Sequence, residues 1–218
     1  NRVALTATLT NFGHDHQVTD RWVSFLVERA RGGTGLVISE IIAVDAEALA
    51  QQAIVTGFDD LNLSGFKATA AGVHKAGGAL IGQLWHPGRQ QLWHPSKSPM
   101  GVSEQPDALS WTVPHVMSTT QINRVITAYI DTAKRLCRCG FAGIELHGAH
   151  GYLIGQFLSP WSNTRDDEFG GGGWGHYVFS NHSPSPRSTR VSCAGGAELG
   201  GASEKSWSLF SMRTSEKL

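Results

Sequence analysis

Two imidazoles and a phenol lie close together in His147-Gly148-Ala149-His150-Gly151-Tyr152, directly behind the short apolar run from Phe141 to Leu146. Such a run, following a long helical pattern, predicts a parallel strand covered on both faces. The polar, glycine-loosened turn then falls at the strand's C-terminal end, where α/β barrels and open α/β sheets bind ligands. A His-x-x-His pair in that place supports more than one chemistry. It can be a hydrogen-bonded structural pair, it can ligate zinc, or it can present donors to a ligand. No Asp or Cys pattern accompanies it, which argues against a metal. Gln83 ends another expected strand; a buried amide there needs partners, and it offers a donor and an acceptor side by side.

The elements that must position these residues alternate along the chain. Residues 1 to 10 alternate and carry β-branched side chains, which predicts a first strand. The chain begins at Asn1, within that pattern, and is expected to lack its natural start. Thr19 can N-cap a helix whose apolar face holds Trp22, Phe25, Leu26 and Ala30 and which Gly32-Gly33 closes. A second strand is expected over Gly35 to Val44, a helix over Leu61 to Ala76, and a third strand over Ala79 to Trp85. Gln90 to Met117 is irregular and long enough to be a functional cover, with Trp93 and Trp111 inside it. Ser118-Thr119-Thr120-Gln121 is a capping box opening a helix whose stripe of Ile122, Val125, Ile126, Tyr129, Ile130, Ala133 and Leu136 runs to Gly140. The fourth strand, Phe141 to His147, follows. Strict alternation means parallel strands joined by right-handed crossovers. From Gly172 to the end the sequence is dominated by Ser and Gly and shows almost no apolar periodicity. Residues 172–218 are therefore expected to be a disordered or aberrant tail.

Composition excludes several classes. Lys and Arg together equal Asp and Glu, 18 each, so nothing steers a nucleic acid to the surface. No apolar run approaches the ~20 residues of a membrane-spanning helix, and no signal-peptide pattern opens the chain. A cytoplasmic location is the default expectation. Cys137, Cys139 and Cys193 are too few for a disulfide framework and are expected to be structural rather than metal-binding or redox-active.

Residues 1 to 171 resemble the old yellow enzyme family of flavin-dependent ene-reductases, in particular its NADH:flavin oxidoreductase and 2,4-dienoyl-CoA reductase branch. The matching pieces are Asn1-Arg2-Val3, Glu28-Arg29-Ala30-Arg31-Gly32-Gly33, Gln83-Leu84-Trp85-His86-Pro87-Gly88-Arg89, and the stretch from Ile144 to Leu153. The likeness continues through Gln156-Phe157-Leu158-Ser159-Pro160 and from Asn163 to Gly171. It implies an α/β chain forming part of a (β/α)8 TIM barrel, about the first four βα units, with 1–171 as the N-terminal half of an FMN-binding barrel.

The same resemblance implies FMN as cofactor, NAD(P)H as reductant, and an enone, enal or dienoyl thioester as small-molecule substrate. It implies that His147 and His150 donate to the substrate carbonyl oxygen and that Tyr152, with an ordinary pKa near 10, protonates the α-carbon. Gln83 is implied at the pyrimidine edge of the flavin, Thr6, Ala7 and Thr8 as the flavin-contacting turn, and Ile41 beside the ring. His86 and Arg89 are expected to brace their loop, and Arg165 and Asp167 to anchor theirs. The alternatives are an inactive truncated fragment of such an enzyme and a metal-dependent barrel hydrolase built on His147 and His150. A homo-oligomer is open.

Overall fold

The computed structural model describes residues 1–91 and 97–170; the expectations for Trp93, Cys193 and the tail lie outside the described residues. The elements are β1 (Ala4–Leu5), α1 (Asp20–Arg31), β2 (Leu36–Ala43), β3 (Val55–Thr56), α2 (Leu63–Lys75), β4 (Ala79–Trp85), β5 (Met100–Gly101), β6 (His115–Val116), α3 (Thr119–Arg138), β7 (Gly143–Leu146) and α4 (Leu153–Leu158). The main sheet runs β1-β2-β4-β7 with every pair parallel, and β3 adds to the C-terminal end of β2. This is the strand order of successive βα units, and among the described residues it forms an open arc rather than a closed barrel.

Local signals account for the helices. Thr19 accepts from the backbone N–H of Trp22, and the first turn of α1 carries Asp20 while its last turn carries Arg29 and Arg31, as the helix dipole favours. Ser118 and Gln121 form a reciprocal capping box at α3. Gly33, Gly77 and Gly140 take positive φ where α1, α2 and α3 end, a conformation glycine reaches without a Cβ penalty. Trp22, Leu26, Phe66, Val73, Leu136 and Phe141 form the layer between helices and sheet, with Phe66 edge-on to both Trp22 and Phe141. Cys139 is a buried free thiol whose Sγ meets the Leu63 carbonyl at 3.8 Å.

Two strand expectations need correction. The alternating pattern over residues 1–10 yields a ladder only at Ala4–Leu5, paired with Leu36 and Val37. Beyond Leu5 the chain peels away because the buried Glu40 carboxylate accepts from both the backbone N–H and the hydroxyl of Thr10, as well as from Trp22 Nε1 at 2.7 Å. β7 is not covered on both faces: its residues are only half-buried and Leu146 is 44% exposed. It is the outer strand of the arc, so burial follows sheet position rather than apolar composition.

Among the described residues no helix is long and apolar enough to cross a membrane, and no group of three His, Cys, Asp or Glu could hold a metal ion.

Candidate active site

β7 carries its backbone pairing one residue past its end, His147 N–H donating to Leu84 O at 3.0 Å, and this sets the imidazole at the C-terminal rim of the sheet. The chain then reverses through His150 and Gly151, both at positive φ (58° and 69°). A histidine in the left-handed region is held there by its surroundings. Gln90 Nε2 donates to the carbonyls of His150 and Gly151 (2.9 and 3.1 Å), and Gln156 Nε2 donates to those of Gly151 and Pro87 (2.8 and 3.1 Å). Leu153 N–H closes the turn on His86 O at 3.1 Å and starts α4.

So fixed, the three side chains converge. His150 Nδ1 lies 3.3 Å from His147 Nε2, with the two rings perpendicular. The Tyr152 ring sits edge-on to His147 at 5.0 Å between centroids and to Trp85 at 5.2 Å. The imidazoles are paired with one another, so one nitrogen of the contact donates to the other. Burial, helped by the neighbouring His150, lowers the His147 pKa to about 4, which keeps that ring neutral at pH 7. Burial pushes the Tyr152 phenol above its ordinary value, so it keeps its proton there.

The second feature is a row across three strands. The register aligns Ile41 of β2 with Gln83 of β4, and Gln83 with Glu145 of β7. Gln83 Nε2 donates to Glu145 Oε1 at 3.3 Å, while its backbone N–H donates to Ser39 Oγ at 3.2 Å. Glu145 Oε2 is buried with no partner among the described residues. Burial raises the Glu145 pKa, and the hydrogen bond from Gln83 opposes that rise. Ile41 packs with Ala43, Ala48, Ile54 and Trp85, and Tyr152 leans on the same cluster. This row therefore offers an amide edge, an unsatisfied carboxylate oxygen and an aliphatic wall. Such a donor and acceptor set fits a flat heteroaromatic ring with a hydrogen-bonding edge.

The expected site residues are not all brought together. His147, His150, Tyr152, Gln83 and Ile41 lie at one rim around β4. Thr6, Ala7 and Thr8 follow the edge strand β1, separated from Gln83 by β2; Thr8 Oγ1 turns back to Thr6 O at 3.3 Å. His86 braces its loop, its Nδ1 accepting from Gly88 N–H at 3.0 Å, and complete burial lowers its pKa to about 4. Arg89 stacks over Trp161 at 4.8 Å. Arg165 ties the middle of the long excursion to its end by donating to Val102 O and Met117 O (3.0 and 2.7 Å) while paired with Asp167. That pairing holds the Asp167 carboxyl below its usual range. Trp111, on the excursion, is 77% exposed. Sequence reasoning gave no role to Glu145, Trp85, Gln90 or Gln156. The parity of Gln83 and Glu145 on neighbouring strands was the available signal, and it needs the register to be read.

The sequence and the fold have counterparts among known proteins. Residues 1–178 match the model of the NADH:flavin oxidoreductase / NADH oxidase family. The chain belongs to that family. Its relatives include an NADH oxidase of Thermoanaerobacter brockii, 38% identical over 175 residues, covering 78% of this chain and 27% of that protein. An NADPH dehydrogenase of Bacillus cytotoxicus is 36% identical over 181 residues, covering 82% of this chain and 52% of that one. Among solved structures, a 2-naphthoyl-CoA reductase complex superposes with a TM-score of 0.74 at 29% identity over 79% of this chain and 28% of its own. Morphinone reductase superposes with a TM-score of 0.71 at 26% identity over 79% and 50%. The chain thus spans roughly a quarter to a half of the length of these members, and the open arc is part of their barrel.

Proposed function

We propose that this chain carries the substrate-activating side of an FMN-dependent NAD(P)H oxidoreductase that reduces the C=C bond of α,β-unsaturated carbonyl compounds. The observation that carries the proposal is the convergence of His147, His150 and Tyr152 on a turn whose carbonyls are tied down by Gln90 and Gln156. Gln83 would hold the ring edge of the flavin, with Ile41 against its face and Glu145 behind Gln83. The backbone of Thr6, Ala7 and Thr8 would approach from the β1 side. When bound, the flavin supplies hydride transfer.

The chain's own residues supply the rest. A substrate carbonyl oxygen inserted at the His147–His150 contact replaces the bond they make with each other, and accepts from both imidazoles once the ring that was the acceptor in that bond takes its other tautomer. The neutral His147 ring suits this role, because an N–H donor stabilises charge as it develops without a proton leaving it. Tyr152, protonated and braced by Trp85, delivers the proton to carbon. The two nicotinamide-linked relatives support NADH or NADPH as the source of reducing equivalents.

The test is to purify residues 1–218 with FMN and follow both half-reactions. Tyr152→Phe is expected to slow alkene-dependent reoxidation by about 10²–10⁴-fold and leave reduction by NAD(P)H unchanged. An unchanged oxidative half-reaction removes Tyr152 from the role. One observation favours a second reading, in which this stretch is inactive without the remainder of a barrel: among the described residues β1 and β7 each have a neighbour on one side only, and Leu146 stands half in solvent.

A further inference from the structure

We infer that Glu145 is a positioning residue: it fixes which way the Gln83 amide faces, so that Gln83 turns its carbonyl oxygen and one remaining N–H toward the ligand. The inference rests on the flavin reading of the site.

The two ends of a glutamine amide are nearly the same size, so packing alone selects poorly between an amide and its flipped form. A charged acceptor on one side decides it. Gln83 and Glu145 stand opposite one another on parallel neighbours, and Nε2 meets Oε1 at 3.3 Å. When ionised, the carboxylate accepts and cannot donate, so that only the NH2 end of Gln83 can then face it, as Nε2 does. The carbonyl oxygen of Gln83 makes no hydrogen bond with any described residue, which leaves it available at the site. Glu145 does nothing else among the described residues, where Oε2 is buried and unpartnered and no cation pairs with the carboxylate. A buried acid without a cation costs stability, and steering an amide gives it a reason to be there. The consequence is a defined pattern, acceptor beside donor, which matches the N–H beside C=O of a pyrimidine-type ring edge and mismatches it if reversed.

Two measurements on the full 218-residue chain test this. The first needs no flavin: the side-chain amide resonances of Gln83, recorded at pH 8 and assigned by their loss in Gln83→Leu. The two Nε2 hydrogens are expected to differ widely in shift in the wild type and to converge in Glu145→Leu. The second is FMN affinity by fluorescence quenching. Glu145→Leu is expected to weaken binding about tenfold, and Glu145→Gln, whose amide can donate as well as accept and so no longer selects one orientation of Gln83, to restore only part of it. In a Gln83→Leu background Glu145→Leu should change affinity by less than about twofold, because its effect passes through Gln83. Unchanged amide resonances in Glu145→Leu, or an equal loss of affinity in both backgrounds, overturns the inference. Wild-type chain that binds no FMN counts against the flavin reading instead, and the amide resonances still decide whether Glu145 orients Gln83.

Discussion

The two flanks of the sheet are held in different ways. On the β4–β7 flank the turn from His147 to Tyr152 is tied by two glutamine side chains, a backbone bond to His86 and ring contacts to Trp85. On the β1 flank a ladder at Ala4–Leu5 and the Glu40 carboxylate hold the segment that contains Thr6, Ala7 and Thr8. A flank with several independent ties loses one and keeps its shape, whereas a flank with a central tie fails with it. The donors proposed for catalysis would require the first arrangement. The backbone turn proposed to approach the cofactor would tolerate the second.

The largest effect should come from the weaker flank. Glu40→Leu strands Trp22 Nε1 and frees Thr10, and is expected to destabilise the chain by about 3–4 kcal/mol; urea denaturation measures it. The stronger flank should show itself in pH dependence. His86 and His147 both have folded pKa values of about 4, below the unfolded value near 6.5. As pH falls, the unfolded chain therefore takes up protons first. Stability is full above about 6.5 and declines toward pH 4, by on the order of 3 kcal/mol for the fully buried His86 alone. Unfolding midpoints at a series of pH values test the window. Stability unchanged down to pH 4 would contradict the burial of these rings.

Gln156→Leu removes donors to Pro87 and Gly151 and the acceptor for Arg89 N–H. It is expected to cost about 2 kcal/mol while leaving the His147 resonances near their wild-type positions, since Gln90 still holds the turn. A collapse of the His147 signals would show that the ties are not independent. The smallest effect is expected at Leu146→Ser on the exposed edge, within about 0.5 kcal/mol, as a thermal melt would show.

Much of this was legible in the residues. Thr19, the Ser118–Gln121 box and the glycines after each helix placed α1 and α3 to within a residue or two, because caps and C-terminal glycines act locally. The end of β4 at Trp85 and the turn after β7 were readable for the same reason. Burial of β7 was not, because an apolar strand says nothing of whether a neighbour lies beyond it. The shortness of β1 was hidden too: a carboxylate thirty residues away in sequence, Glu40, redirects Thr10, and no local pattern records that. In the site, the residue types at 147, 150 and 152 could be read directly. The contact between the two imidazoles, the Gln83–Glu145 pair and the work of Gln90 and Gln156 depend on strand register and on a left-handed turn, which only the folded chain reveals.

The central claim is that the rim around Gln83 and His147 receives a flavin. The direct measurement is flavin retention by residues 1–218 through gel filtration, compared with Gln83→Leu. The account predicts a folded, yellow wild-type chain whose flavin is released on denaturation, and a Gln83→Leu chain that is equally folded and retains markedly less. A folded wild-type chain that elutes colourless after exposure to FMN, or a Gln83→Leu chain that retains the flavin just as well, would contradict it.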